Sequence, residues 1–288
     1  MSSRPSRAQH AHPDLVARLR AAGCVLAEEE ATLLVARTDD PDVLDALVAR
    51  RVAGEPLEHV LGFAEFHGLR VEVDPGVFVP RQRTALLVDE AVALVRRGPA
   101  HVPVVVVDLC CGSGALGLAV TTELATELAT ELATGPGAAG ARTVELHAAD
   151  VDPAAVACAG RNIAAVGGVA HAGDLFAALP HELSGRVDML LANVPYVPTR
   201  EIGMLPREAR DHEARVALDG GDDGLDVLRR VASGASGWLV PGGHLLTESG
   251  ERQAVGAVQV LERAGFAVLV VRDEETGATG VVAQLPPR

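Results

Sequence analysis

Val104-Val105-Val106-Val107-Asp108-Leu109-Cys110-Cys111-Gly112-Ser113-Gly114 is the stretch that decides the fold. The short apolar run ending in Asp108 reads as a strand of a parallel sheet. Glycines at 112 and 114 predict a sharp turn, after which a helix starts. Backbone N–H groups exposed at such a turn, together with the positive end of the helix dipole, suit a polar or anionic ligand. Gly112, Gly114 and Gly117 also satisfy the G-x-G-x-x-G dinucleotide fingerprint. That fingerprint expects an acidic residue about twenty positions on, whereas Asp150 and Asp152 stand 33 and 35 residues beyond Gly117. A tandem Thr-Glu-Leu-Ala repeat, Thr122 to Ala133, can account for much of the excess, so spacing leaves the ligand class open.

Outward from this turn, short apolar runs alternate with helical stretches, the pattern of an α/β chain whose sheet is wrapped by helices. Strands are expected at 104–108, 143–149, 169–172, 187–192, 243–248, 266–271 and 279–284, and helices near 84–97, 114–133, 153–166, 223–236 and 250–264. The result is a seven-stranded, mostly parallel, Rossmann-like sheet occupying residues 84–288. Residues 1–64 form a separate helical domain, with Leu15, Leu19, Leu34, Leu44 and Val48 at helical intervals and Asp40-Pro41 as a helix start. Between them, residues 65–83 are expected to form a β-hairpin linker turning at Asp74-Pro75-Gly76. Glu28-Glu29-Glu30 reads as a solvated helix face.

Candidate ligand groups follow the strands. Asp150, ending the second strand of the sheet, can accept both hydroxyls of a ribose, while Asp152 before Pro153 suits a helix cap. Gly173-Asp174-Leu175-Phe176 follows the third strand and can offer a carboxylate to an adenine amino group and apolar cover to its ring. The fourth strand ends in Asn193-Val194-Pro195-Tyr196. A carboxamide oxygen on Asn193 and a neighbouring main-chain carbonyl can accept both hydrogens of a planar NH2 group, with a tyrosine ring over its face. This is also the single Tyr of the chain, at the carboxyl edge of a central strand, where open α/β sheets bind ligands.

Composition removes other chemistries. The 25 cations are all Arg, which excludes a Schiff-base or P-loop lysine. A net charge of -14 opposes binding to a phosphate backbone, and 2% aromatic content leaves little for base stacking. Cys24, Cys110, Cys111 and Cys158 lack metal-ligand spacing, so no metal is expected. Neither a secretory signal nor a membrane span is visible, and a cytoplasmic monomer is expected.

Asp108 to Gly114, Asp150 and Asn193 to Tyr196 resemble the motifs of class I S-adenosylmethionine-dependent methyltransferases. More narrowly, Gly54-Glu55-Pro56-Leu57-Glu58-His59, Glu65-Phe66, Val79-Pro80-Arg81 with Thr84, and Leu218 to Asp226 are similar to the HemK/PrmC protein-(glutamine-N5) methyltransferases. The resemblance implies S-adenosylmethionine as cofactor, with Asp108, Cys110, Cys111, Gly112, Ser113 and Gly114 around its methionine moiety, Asp150 on the ribose, and Asp174 and Leu175 near adenine. It implies that Asn193, Val194, Pro195 and Tyr196 hold the amide of a glutamine in the Gly-Gly-Gln loop of a peptide-chain release factor, docked by the helical domain. Val194 departs from the family's first proline and loosens the turn. Cys110 stands where the family has glycine, which requires an ordinary backbone angle there. Gln82-Arg83 and Ala85 replace a Pro-Asp pair and a Glu. An N6-adenine methylase, a nicotinamide-dependent oxidoreductase and a non-catalytic cofactor-binding module share parts of the pattern.

Overall fold

The computed structural model describes residues 13–98, 103–134 and 143–287, with side chains up to 126 in the second segment. Helices α1 (Pro13–Ala21), α2 (Ala27–Arg37), α3 (Pro41–Val52) and α4 (Leu57–Leu61) pack around Leu19, Ala27, Leu34 and Val48, which are fully buried. Asp40 caps α3 as expected, its Oδ1 accepting the Asp42 N–H at 2.9 Å with Pro41 in the first turn. Glu30 departs from the expected solvated face. It is buried, and its carboxylate accepts both Arg51 Nε (2.6 Å) and Nη2 (3.0 Å). The same guanidinium reaches Glu208 at 2.6 Å, tying these helices to the sheet domain. A bidentate partner is what allows a charge to leave water.

The hairpin lies earlier than expected. Strands β1 (Phe63–Phe66) and β2 (Leu69–Glu72) meet at His67-Gly68, where φ is 48° and 72°. Positive φ at both turn positions matches the right-handed twist of the strands, so this two-residue turn takes the hairpin. Asp74-Pro75-Gly76 does turn, the Asp74 carbonyl accepting the Val77 N–H at 3.1 Å, but it lies after the hairpin, and the Gly76 carbonyl accepts the Ala214 N–H at 3.1 Å.

The sheet domain runs α5 (Ala85–Arg97), β3 (Val104–Leu109), α6 (Ala115–Thr134), β4 (Val144–Asp150), α7 (Pro153–Ile163), β5 (Val169–Ala172), β6 (Val187–Ala192), α8 (Arg207–His212), α9 (Asp226–Ala235), β7 (Leu239–Glu248), α10 (Ala254–Arg263), β8 (Ala267–Asp273) and β9 (Ala278–Gln284). Strand order is β5-β4-β3-β6-β7-β9-β8, with only β9 antiparallel to its neighbours. The seven expected strands are all present, β7 starting earlier by running through Pro241-Gly242-Gly243. All six residues of β3 are buried. Val104 and Val106 face a core shared with α5, α6 and α7, while Val105, Val107 and Leu109 face one shared with α9 and α10. Helix α6 carries the Thr-Glu-Leu-Ala tract. Leu124 is buried on it, and the side chains of Glu127, Leu128, Glu131 and Leu132 lie outside the described residues. No helix among the described residues is long and apolar enough to cross a membrane.

Strand β4 pairs with one side of β3 and β6 with the other. The connections leaving β3 and β6 therefore diverge at their carboxyl ends, and a crevice must open between them. The glycine loop and Asn193-Val194-Pro195-Tyr196 emerge at that place.

Candidate active site

The crevice is a cavity of about 740 Å³ lined by Asp108, Cys110 to Ser113, Asp150, Asp174, Leu175 and Asn193 to Tyr196. Gly114 does not line it. A Cβ at Gly114 would lie 3.1 Å from the Ala159 Cβ, so its missing side chain lets the start of α6 approach α7. Gly117 has a similar role, since a Cβ there would come within 2.8 Å of Leu146.

Asp108 is 1% exposed, and its Oδ2 accepts the Gly117 N–H at 2.9 Å. Its Oδ1 has no hydrogen-bond partner among the described residues. Burial, with Asp150 adding repulsion, pushes its pKa from 3.8 to about 7. The fold thus favours the protonated acid. That contribution to stability is complete below the unfolded value and is lost as pH rises through the folded one. Between about pH 5 and about pH 8, the ligand-free wild type should lose up to roughly 3 kcal/mol relative to Asp108→Asn. Urea midpoints at the two pH values measure this, and parallel behaviour of the two proteins would place an ionised Asp108 in the fold.

Cys110 contradicts the expectation of an ordinary backbone angle, for its φ is 55°. A left-handed residue with a Cβ is strained by about 1–2 kcal/mol, part of which glycine recovers against its own greater chain entropy. Cys110→Gly should therefore raise stability by about 1 kcal/mol and the melting midpoint by roughly 2–4 °C. A fall on thermal denaturation would mean that the thiol's packing outweighs the strain. Burial raises the pKa of both Cys110 and Cys111, so both loop thiols stay neutral.

Asp150 is held by the loop it faces. Its Oδ2 accepts the Gly112 N–H at 3.0 Å and its Oδ1 the Asp152 N–H at 2.9 Å, leaving further lone pairs on each oxygen. Burial raises its pKa. Asp152 caps α7 as expected, accepting the Ala154 N–H at 2.9 Å. Asp174 is half-exposed and already binds Arg230 of α9 at 2.6 Å, a partner that the sequence does not reveal. Leu175 beside it has φ 51° and packs on the α9 side of the sheet.

Asn193 leaves β6 with its Oδ1 buried and unpartnered among the described residues. Val194 is 2% exposed and packed in the core. The strap is fixed from behind by the Leu218–Asp226 loop. Val197 N–H reaches the Leu218 carbonyl at 3.0 Å, and Gly220 N–H reaches the Val197 carbonyl at 2.9 Å. A Cβ on Gly220 would lie 2.7 Å from the Pro195 carbonyl oxygen, and one on Gly224 2.2 Å from that of Tyr196. Gln253 Nε2 donates to the same Tyr196 oxygen at 2.8 Å.

The Tyr196 hydroxyl donates to Glu248 Oε1 at 3.0 Å and accepts from Arg83 Nη2 at 2.8 Å. Arg83 Nε also donates to Glu248 Oε1 at 2.7 Å, and Thr84 Oγ1 donates to Oε2. Burial, with Glu248 adding to it, pushes the phenol up to about 12, so it is neutral at physiological pH. Arg83 is visible in sequence only as a departure from a family pattern, and Glu248 and Gln253 carry no local signal at all.

The cavity's charge selects its ligand. Its arginines are Arg81, Arg83 and Arg230. They are bound to Glu213, Glu248 and Asp174 respectively. Among the described residues no lining cation is left unpaired, so a pyrophosphate would find no free cation on this wall.

No protein-family model matches the chain. It is 36% identical over 238 residues to the release factor glutamine methyltransferase of Geobacter sulfurreducens, covering 82% of this chain and 75% of that protein. To the protein of the same name from Streptomyces coelicolor it is 37% identical over 207 residues, covering 72% and 67%. With that from Mycolicibacterium smegmatis the identity is 34% over 285 residues, covering 91% of each. Similarity of this extent runs through the helical layer, the glycine loop and the Asn193–Tyr196 strap together, and the chain belongs to the release factor glutamine methyltransferase family.

Proposed function

We propose that this protein transfers a methyl group from S-adenosylmethionine to the side-chain amide nitrogen of a glutamine in the Gly-Gly-Gln loop of a peptide-chain release factor. The observation that carries this reading is the Asn193 Oδ1, buried at the cavity with no partner among the described residues. A desolvated acceptor of this kind costs about 1–3 kcal/mol unless a ligand donates to it.

The residues present fit the cofactor. Asp108 Oδ1 is a second buried oxygen unpartnered among the described residues, and each lining arginine is already paired with a carboxylate, which suits a cofactor without phosphates. Asp108 and the Cys110–Ser113 loop would hold the methionine moiety, Asp150 the ribose, and Leu175 beside the Asp174–Arg230 pair the adenine. Bound there, S-adenosylmethionine supplies an electrophilic methyl group on a sulfonium.

The protein's work is placement. Asn193 Oδ1 and the Val194 carbonyl accept the two amide hydrogens, fixing the NH2 plane, while Pro195 and Tyr196 close over it. An amide nitrogen needs no strong base to be aimed. Once methylated, with the sulfur–carbon bond of the cofactor given up for the nitrogen–carbon bond, the nitrogen would be acidic and its proton would pass to water. The neutral Tyr196 and the neutral loop thiols take no proton. The helical layer of α1 to α4, joined to α8 through Arg51 and Glu208, would dock the protein substrate beside the cavity.

Incubation with labelled S-adenosylmethionine and purified bacterial release factors, followed by mass mapping, tests the reading. Label on the glutamine of the Gly-Gly-Gln loop is expected. Label confined to adenine in added DNA or RNA would replace it with an N6-adenine methylase.

A further inference from the structure

We propose that Arg83 is a positioning residue for amide methylation, holding the Tyr196 phenol in register through Glu248; the proposal rests on the amide-methylase reading above. Arg83 lies in the short turn of Gln82–Thr84 that leads into α5, far in sequence from both partners. Its guanidinium spans them, with Nε on Glu248 Oε1 at 2.7 Å and Nη2 on the Tyr196 hydroxyl at 2.8 Å. The phenol closes the triangle on that same carboxylate oxygen at 3.0 Å.

Glu248 ends β7, and its side chain is 5% exposed. Among the described residues Arg83 is the cation on this buried carboxylate, and its other donors are the Thr84 and Tyr196 hydroxyls. Without Arg83 the buried Glu248 Oε1 loses one of its two donors and the phenol oxygen loses the donor on it. The triangle of guanidinium, carboxylate and phenol then keeps one hydrogen bond of its three, which no longer fixes the ring. The ring is three residues from Asn193 on one strap, so loss of its anchor displaces the surface that closes over the amide. Misplacement of about 1 Å can cost roughly a hundredfold in rate. Arg83 is itself half-exposed on the cavity wall, so direct contact with the substrate is the competing role.

The test uses the full chain with S-adenosylmethionine and a purified bacterial release factor. Arg83→Met should lower kcat by about tenfold to a hundredfold, with KM for the release factor within about twofold. Arg83→Lys should recover part of the loss, because an ammonium can pair with Glu248 without bridging to the phenol. In a Tyr196→Phe background, Arg83→Met should add less than about twofold, since both changes break one unit. A multiplicative double variant, or a raised KM with kcat kept, would overturn positioning in favour of substrate contact.

A second readout needs no turnover. The chain has a single Tyr, so tyrosine labelled with carbon-13 at Cζ gives one resonance, that of Tyr196. It should shift and broaden in folded Arg83→Met and shift less, without broadening, in Arg83→Lys, where Glu248 stays paired. An unmoved resonance in Arg83→Met would overturn the proposal even if methylation were lost. If the wild type modified no release factor, the amide reading would fail, while the resonance would still decide what Arg83 holds.

Discussion

Asn193→Ala is expected to abolish methyl transfer, by at least about a thousandfold in kcat, while the protein folds and still binds S-adenosylmethionine measurably. The prediction separates structure from chemistry because Asn193 Oδ1 has no partner among the described residues. Its deletion therefore leaves no protein group orphaned, and the usual cause of destabilisation at a buried polar site is missing. What disappears is the acceptor that holds one amide hydrogen, and with it the orientation of the nitrogen lone pair. Asn193→Asp keeps an acceptor oxygen but adds charge, so its activity should fall between the two. Single-turnover rates, calorimetric binding of the cofactor and thermal denaturation measure the three quantities. Turnover of Asn193→Ala within about tenfold of wild type would remove Asn193 from the mechanism.

The sequence discloses what is local. A run of valines buried on both sides, glycines within a few residues of its end, and an Asn-x-Pro-Tyr strap each state their geometry over a handful of positions. Strand order then brings them together, because β3 and β6 are neighbours at the point where the connections diverge. Contacts between remote segments leave no periodic trace. Arg83 and Glu248 are 165 residues apart, and Gln253 reaches back 57 residues to the Tyr196 carbonyl. Counting charges also misleads, since three consecutive glutamates read as solvated although Glu30 is buried on Arg51. The Cys110 backbone shows a third limit. Residue identity argues against positive φ there, yet the turn between β3 and α6 imposes it.

These remote contacts also account for Val194. With valine in place of a proline, the strap has a softer backbone of its own, and its rigidity has to come from its surroundings. Packing supplies part, because Val194 is 2% exposed. Gln253, Arg83 and Glu248 supply hydrogen bonds on the carbonyl and phenol of Tyr196. The Leu218–Asp226 loop supplies the remainder by lying against the strap's main chain, which only glycine permits.

Gly224→Ala should therefore have a large effect, since among the described glycines it is the one whose added Cβ would come closest to a backbone atom. At Gly224 φ is 77°, and a Cβ would lie 2.1 Å from Gln253 Nε2 and 2.2 Å from the Tyr196 carbonyl oxygen. The glutamine can swing aside, but the carbonyl belongs to the strap and can move only by displacing it. Left-handed strain of about 1–2 kcal/mol adds to overpacking of about 1–3 kcal/mol, a loss of roughly 2–5 kcal/mol. The melting midpoint should fall by about 5–15 °C. Well below that midpoint, kcat should still be reduced by more than about a hundredfold, because relief of the clash moves Tyr196 away from the amide. Gly242→Ala is the matched control. Its φ is 85° with nothing within 4 Å of the added Cβ, so strain alone should cost about 1 kcal/mol with activity retained. If the two variants melted together and turned over alike, the strap would not depend on the glycine loop, and the rigidity missing at Val194 would have to be supplied elsewhere.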